Sequence, residues 1–152
     1  MDGTAAPEVT RRLPLVWCQR RLALVWLAGA AVLVLLMIAQ SMGNKFGTAT
    51  SQAWDWLLPT IVPTLSLIVG AFAATARQPL QQATVDAFSY RLSFWLSVFY
   101  LLLVAAVPLA QPLTGRSPLE LMQLSKLWLG AIQGIVGISL GVYFVSGGRT
   151  ET

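Results

Sequence analysis

Four long apolar runs without a charged residue constrain this chain more than any other feature. They span residues 22–39, 56–76, 92–109 and 127–145. The hydrocarbon core of a bilayer is roughly 30 Å thick, so a helix needs about 20 apolar residues to cross it. Such runs form helices or the strands of a closed barrel, because the bilayer offers no water to free backbone groups. Barrel strands alternate polar and apolar residues, and residues 22–39 do not. The sequence therefore predicts an all-α integral membrane protein, a bundle of four transmembrane helices.

A cleaved signal peptide is the alternative to a retained first helix. The apolar region of a signal peptide has about 7–15 residues, which is shorter than the run 22–39, and Ala39-Gln40-Ser41 is a poor cleavage site. A retained helix is the favoured interpretation. The predicted organisation is a basic tail over residues 1–21, a transmembrane domain over residues 22–146 and a second tail over residues 147–152.

The distribution of basic residues predicts the orientation, because lysine and arginine concentrate on the cytoplasmic side of membrane helices. Seven of the ten basic residues fall in the two tails and in the loop 77–91. Both termini are therefore expected in the cytoplasm, with the protein in a bacterial inner membrane. Each arginine of the first tail is expected to contact anionic lipid heads, at about 1 kcal/mol per residue. These residues are Arg11, Arg12, Arg20 and Arg21. The net charge of +4 then requires no nucleic acid partner.

The composition excludes most catalytic chemistry. The chain has no histidine and one cysteine, so catalytic triads, histidine-ligated metals and dithiol relays lack their residues. All six acidic residues lie outside the apolar runs, whereas coupled transport normally needs an ionisable group within the membrane. We expect no enzyme activity, no catalytic residue, no metal site and no cofactor. Cys18 is interpreted as a buried or unused thiol or, alternatively, as a lipidation site.

Small residues form stripes on two of the predicted helices. The fourth helix carries Gly130, Gly134, Gly137 and Gly141. Steps of three and four residues return to the same helix face, and Ser66 and Gly70 repeat this spacing on the second helix. Membrane helices associate where small residues let their backbones approach closely. The stripes predict packing against the chain's own helices or, alternatively, against another copy in a homo-oligomer.

Two prolines interrupt the second predicted helix. Pro59 and Pro63 lie one turn apart, and each removes a backbone hydrogen bond. A kink is expected, with Thr60 and Thr64 satisfying the freed carbonyls. The alternative is a binding site, since broken helices carry such sites in transporters.

Gln133 is the only amide side chain in the fourth run, about 60° from the glycine stripe at 100° per residue. A primary amide at membrane depth is expected to find a partner. The alternatives are an interhelical hydrogen bond and the lining of a polar path together with Thr60 and Thr64.

The connecting segments carry local signals. Ser117-Pro118-Leu119-Glu120 fits a capping box, so the fourth helix is expected to run from near Pro118 to about Ser146. Residues 80–88 have a helical apolar spacing, which predicts a short surface helix or an inward extension of the third helix. Asp55 and Lys126 both lie near the outer interface, and the sequence leaves open whether they meet.

Two classes of function fit these constraints. The first is a channel, pore or membrane-permeabilising effector that assembles through the glycine stripe. The second is a non-conducting accessory protein that anchors or regulates a larger complex by binding a membrane or cytoplasmic protein. Its recognition surfaces would be the arginine-rich tail and residues 78–88. A facilitator for a small neutral solute is a third, weaker alternative, and the sequence slightly favours the first class.

Overall fold

A computed structural model describes residues 12–75, 84–110, 113 and 115–145 of the chain. In these residues the protein is all-helical apart from two short strands. The helices are α1 (Leu15–Met42), α2 (Thr50–Thr75), α3 (Ala87–Leu109) and α4 (Pro118–Val145). A short 3-10 turn over Gly47–Ala49 leads into α2. All four helices are long and apolar enough to cross a membrane, which confirms the prediction of an all-α fold with four candidate membrane spans. Residue 76, the last of the second predicted run, lies outside the described residues.

The starts of the last two helices are fixed by side chains that accept hydrogen bonds from free backbone N–H groups. The Ser117 hydroxyl accepts a hydrogen bond from the Glu120 backbone N–H at 3.3 Å, and α4 begins at Pro118 as predicted. The Asp86 carboxylate accepts one from Ser89 at 3.2 Å, which caps α3. Each contact satisfies one of the N–H groups that a helix leaves unpaired in its first turn.

Successive helices run in opposite directions. Different hydrogen bonds link the elements at the two ends of the bundle. At one end, the Gln19 amide donates to the Tyr143 carbonyl at 2.6 Å. At the other, Lys45 Nζ donates to the Pro108 carbonyl at 2.9 Å. We call the first the arginine end, after Arg12, Arg20, Arg21 and Arg91, and the second the lysine end, after Lys45 and Lys126. Helix α4 packs against both α2 and α3, and α1 packs mainly against α3.

Two strands close the arginine end. Strand β1 (Arg12–Pro14) pairs antiparallel with β2 (Thr84–Asp86), with Leu13 opposite Val85. Leu13 and Val85 are half-buried and their neighbours are exposed. This is the period-two alternation of a strand, stabilised by a partner distant in sequence.

The strands correct the interpretation of the loop 77–91. The prediction of a short surface helix through residues 80–88 is wrong for Thr84–Asp86, which form β2. Ala87 and Phe88 instead begin α3, so the third helix starts five residues before the predicted run 92–109. Leu80 and Ala83, on which the surface helix also rested, lie outside the described residues.

Large side chains fill the interior of the bundle. Each helix contributes at least one fully buried large residue: Trp26 from α1, Trp56 from α2, Tyr100 from α3 and Leu140 from α4. The rings of Trp26 and Tyr100 lie 5.8 Å apart between α1 and α3. Within the described residues, the centre of one copy is therefore a packed core.

Candidate functional site

A groove between α2 and α4 contains six of the fifteen candidate site residues named from the sequence. Its volume is about 340 Å³, and we call it the α2–α4 groove. It is lined by Pro63, Thr64, Leu67, Gly130, Gln133, Gly134 and Gly137. The two helices run in the same direction, and the groove lies along residues 63–67 of α2 and 130–137 of α4.

The glycine stripe does not pack against the chain's own helices. Apart from its chain neighbours and the backbone of its own helix, a Cβ atom built on Gly130, Gly134, Gly137 or Gly141 would meet no described atom within 4 Å, and the same holds for Gly70. Ser66 is exposed as well. The close packing that the stripes predicted is therefore not seen at these five glycines within the described part of one copy, and packing against another copy remains a prediction.

Among the described glycines, Gly29 of α1 is the one at which two helices approach closely, and the glycine spacing of the sequence does not indicate it. A Cβ built there would lie 2.6 Å from Leu101 Cδ1 of α3. Its signal in the sequence is the run of small residues over 28–31. That run lacks the repeated four-residue spacing of the glycines on α4.

Gln133 is half-buried and lines the α2–α4 groove. Its amide has no hydrogen-bond partner among the residues that the structure describes. At this depth an unpaired amide is unfavourable by a few kcal/mol, because lipid supplies no donor or acceptor. The interhelical hydrogen bond expected for Gln133 is not formed within the described part of one copy.

Thr60 and Thr64 have different surroundings. Thr64 lines the groove together with Gln133, whereas Thr60 is turned into the bundle. The Thr60 hydroxyl donates to the Trp56 carbonyl at 2.6 Å, and the Tyr100 hydroxyl donates to the Thr60 carbonyl at 3.0 Å. Of the predicted polar path, the groove brings together Gln133 and Thr64 but not Thr60.

Pro59 and Pro63 both lie inside α2, with exposed rings. Pro59 removes the N–H that would bond to the Asp55 carbonyl, and Pro63 does the same for the Pro59 carbonyl. The Thr60 hydroxyl was expected to satisfy a freed carbonyl. It bonds instead to Trp56, whose carbonyl was not freed.

Asp55 and Lys126 line the same cavity at the lysine end, and they form no ion pair with each other there. The cavity lies between α2 and α4 and has a volume of about 220 Å³. Beside this cavity, the Trp56 indole donates a hydrogen bond to the Ser125 hydroxyl at 3.0 Å. The sequence neighbours of Asp55 and Lys126 are therefore hydrogen-bonded to each other. The full lining consists of Gln52, Asp55, Trp56, Leu119, Met122, Gln123 and Lys126.

The arginine end presents charge and aromatic rings. Arg12, Arg20 and Arg21 are exposed, and Arg11 lies outside the described residues. The Arg21 guanidinium sits 4.5 Å from the centre of the Trp17 ring, and that ring contacts Tyr90 at 5.6 Å.

Cys18 is fully buried, which favours the buried-thiol interpretation over lipidation.

Nothing in the described part of the chain resembles a metal centre. No group of three or more His, Cys, Asp or Glu residues that could hold an ion occurs among the described residues. Comparison with protein-family models, with curated proteins and with solved structures finds no match for this chain. A functional proposal therefore depends on the groove and on the charges beside it.

Proposed function

We propose that this protein self-associates along the α2–α4 groove and acts as a membrane channel, pore or permeabilising effector, with the conducting path between copies. One observation carries the proposal: the glycine stripe is open and borders a groove that contains the unpaired amide of Gln133.

The physical argument begins with the glycines. Glycine is about 1 kcal/mol less favourable than alanine inside a helix, and in lipid the compensation for small residues is close helix–helix contact. Within one copy these glycines make no such contact. A second copy lying on the stripe would provide this close contact. It would also place hydrogen-bond donors and acceptors near the amide of Gln133.

The packed interior of the bundle supports a path between copies rather than through one copy. Trp26, Tyr100 and Leu140 occupy the centre of a single bundle. Gln133 and Thr64 instead face the groove, so that repeated copies of both would line a polar path. We expect passive permeation, since no acidic or basic residue lies within the four apolar runs.

The second candidate function is that of a non-conducting accessory protein. If copies do not assemble, the packed interior favours this function, because a single packed bundle offers no open path. Its binding surface would include the exposed arginines Arg12, Arg20 and Arg21. For both candidates we place the arginine end in the cytoplasm of a bacterial cell and the helices in its inner membrane, on the basis of the basic residues. We propose no enzymatic activity, no cofactor and no nucleic acid partner for either.

The deciding experiment measures assembly and conductance on the same purified wild-type protein. Size and copy number in lipid nanodiscs test self-association, and planar-bilayer recordings test permeation. We expect an assembly of more than one copy that conducts. An assembly without conductance would favour the accessory function, and a monomer in lipid would overturn self-association itself.

A further inference from the structure

Two helix faces border the α2–α4 groove, one on each helix; the residues of the first are exposed, and those of the second are exposed except for the half-buried Gly137 and Gly141. The α2 face consists of Asp55, Pro59, Pro63, Ser66 and Gly70, and the α4 face consists of Lys126, Gly130, Gly134, Gly137 and Gly141. At 100° per residue, each set falls within about 80° of its helix circumference. Each face therefore begins with one charge at the lysine end and continues with small residues or prolines toward the arginine end.

The two charges are opposite in sign and lie at the same level of the bundle. Asp55 and Lys126 line one cavity and flank the Trp56–Ser125 hydrogen bond. Both side chains are exposed. Among the residues that the structure describes, neither has an ion-pair or hydrogen-bonding partner.

We propose that the α4 face of one copy seats the α2 face of a second copy inserted in the same direction, so that Asp55 of each copy pairs with Lys126 of its neighbour. This inference rests on the self-association proposed above. The inference specifies which two faces meet, in which register, and which two residues determine that register.

Charge complementarity makes this arrangement self-consistent. Copies in one membrane share their orientation, so Asp55 and Lys126, which are level within one copy, are also level between copies. A rotation about the membrane normal places α2 of each copy against α4 of the next, and the smallest closed case is a two-fold pair with two such contacts. Small residues on the α4 face and the flat proline rings of the α2 face permit close approach. Placing α4 against α4 would instead bring Lys126 against Lys126, which is repulsive.

Charge reversal tests the pairing. We would label Asp55→Lys and Lys126→Asp chains with different fluorophores and measure energy transfer in vesicles at low protein density. Each variant alone brings like charges together at every contact, and its association constant should fall by about tenfold or more. Mixed together, the two variants restore opposite charges at every contact, so mixed assemblies should form far more often than random mixing predicts. The double variant Asp55→Lys with Lys126→Asp should associate like the wild type.

Two further measurements distinguish loss of the Asp55–Lys126 pairing from a general effect of charge reversal and from loss of the helical fold. Glu120→Lys reverses a charge elsewhere on α4 and should leave association unchanged, and circular dichroism should show that every variant remains helical. Single reversals that associate like wild type would overturn the pairing and leave self-association standing. Single reversals that weaken association without recovery on mixing would indicate a pair within one chain and would overturn the inference. Wild-type protein that stays monomeric would instead overturn the proposed function.

Discussion

The indole of Trp56 donates a hydrogen bond to the hydroxyl of Ser125 across the α2–α4 contact, with 3.0 Å between Nε1 and Oγ. Both side chains are buried, and the Ser125 hydroxyl in turn donates to the Met122 carbonyl at 2.8 Å. This bond joins α2 to α4 at the lysine end, next to the groove that we propose for self-association.

Ser125→Ala should destabilise the folded bundle by about 1 kcal/mol, because it leaves the buried Trp56 N–H without an acceptor. The measurement is reversible unfolding in mixed detergent micelles. The control is Ser139→Ala on the same helix, since the Ser139 hydroxyl bonds only within α4, to the Val136 carbonyl at 2.9 Å. Equal effects of the two substitutions would contradict a specific role for the Trp56–Ser125 bond.

The double substitution Gly134→Leu with Gly137→Leu should abolish self-association while one copy remains folded. Space for added side chains is open within one copy, whereas a neighbouring helix would be pushed away. Copy number in lipid nanodiscs measures the loss. Ile135→Phe adds bulk to an exposed position away from the stripe and should leave the copy number unchanged. Assemblies that keep their size in the double variant would contradict the assigned interface.

Gln133→Leu should leave assembly intact and lower single-channel conductance by about tenfold, because an apolar ring favours loss of water from a narrow path. Planar-bilayer recordings provide the measurement. Gln123→Leu makes the same chemical change at the lysine end, outside the groove, and should conduct like the wild type. Unchanged conductance in Gln133→Leu would remove this side chain from the path.

Gly29→Ala should leave a single copy less stable than Gly70→Ala does, by about 1–3 kcal/mol, because both gain the same helix propensity and only the Gly29 methyl group forces Leu101 to move. Gly70→Ala is the matched control, since its methyl group enters open space. A second substitution, Leu101→Ala, should remove the clash, so adding Gly29→Ala to it should cost little further stability. If Gly29→Ala destabilises equally in both backgrounds, the close contact with Leu101 is not the cause.

The elements that could be predicted are those governed by local chemistry. Charge-free apolar runs gave the four helices, and the Ser117-to-Glu120 capping pattern gave the start of α4. Both signals depend on residues close together in the sequence.

Which face of each helix points inward could not be predicted in the same way. In a soluble protein, polar residues mark the outer face, but lipid and protein interior are equally apolar. On α4, for example, Leu127 is 88% exposed and Leu129 is 2% exposed, although their side chains are identical. For the same reason, glycine spacing alone could not distinguish the close-packed Gly29 from the open Gly134.

The β1–β2 pair and the Gln19–Tyr143 hydrogen bond also set an order for folding during synthesis. A chain made from its N-terminus has completed Arg12–Pro14 long before Thr84–Asp86 exists to pair with it. The Gln19 amide must wait longer, because its acceptor is near the end of the last helix. The first helix therefore enters the membrane before its partners at the arginine end exist. That end closes in two steps, after the segment preceding the third helix is made and again when the fourth helix is complete.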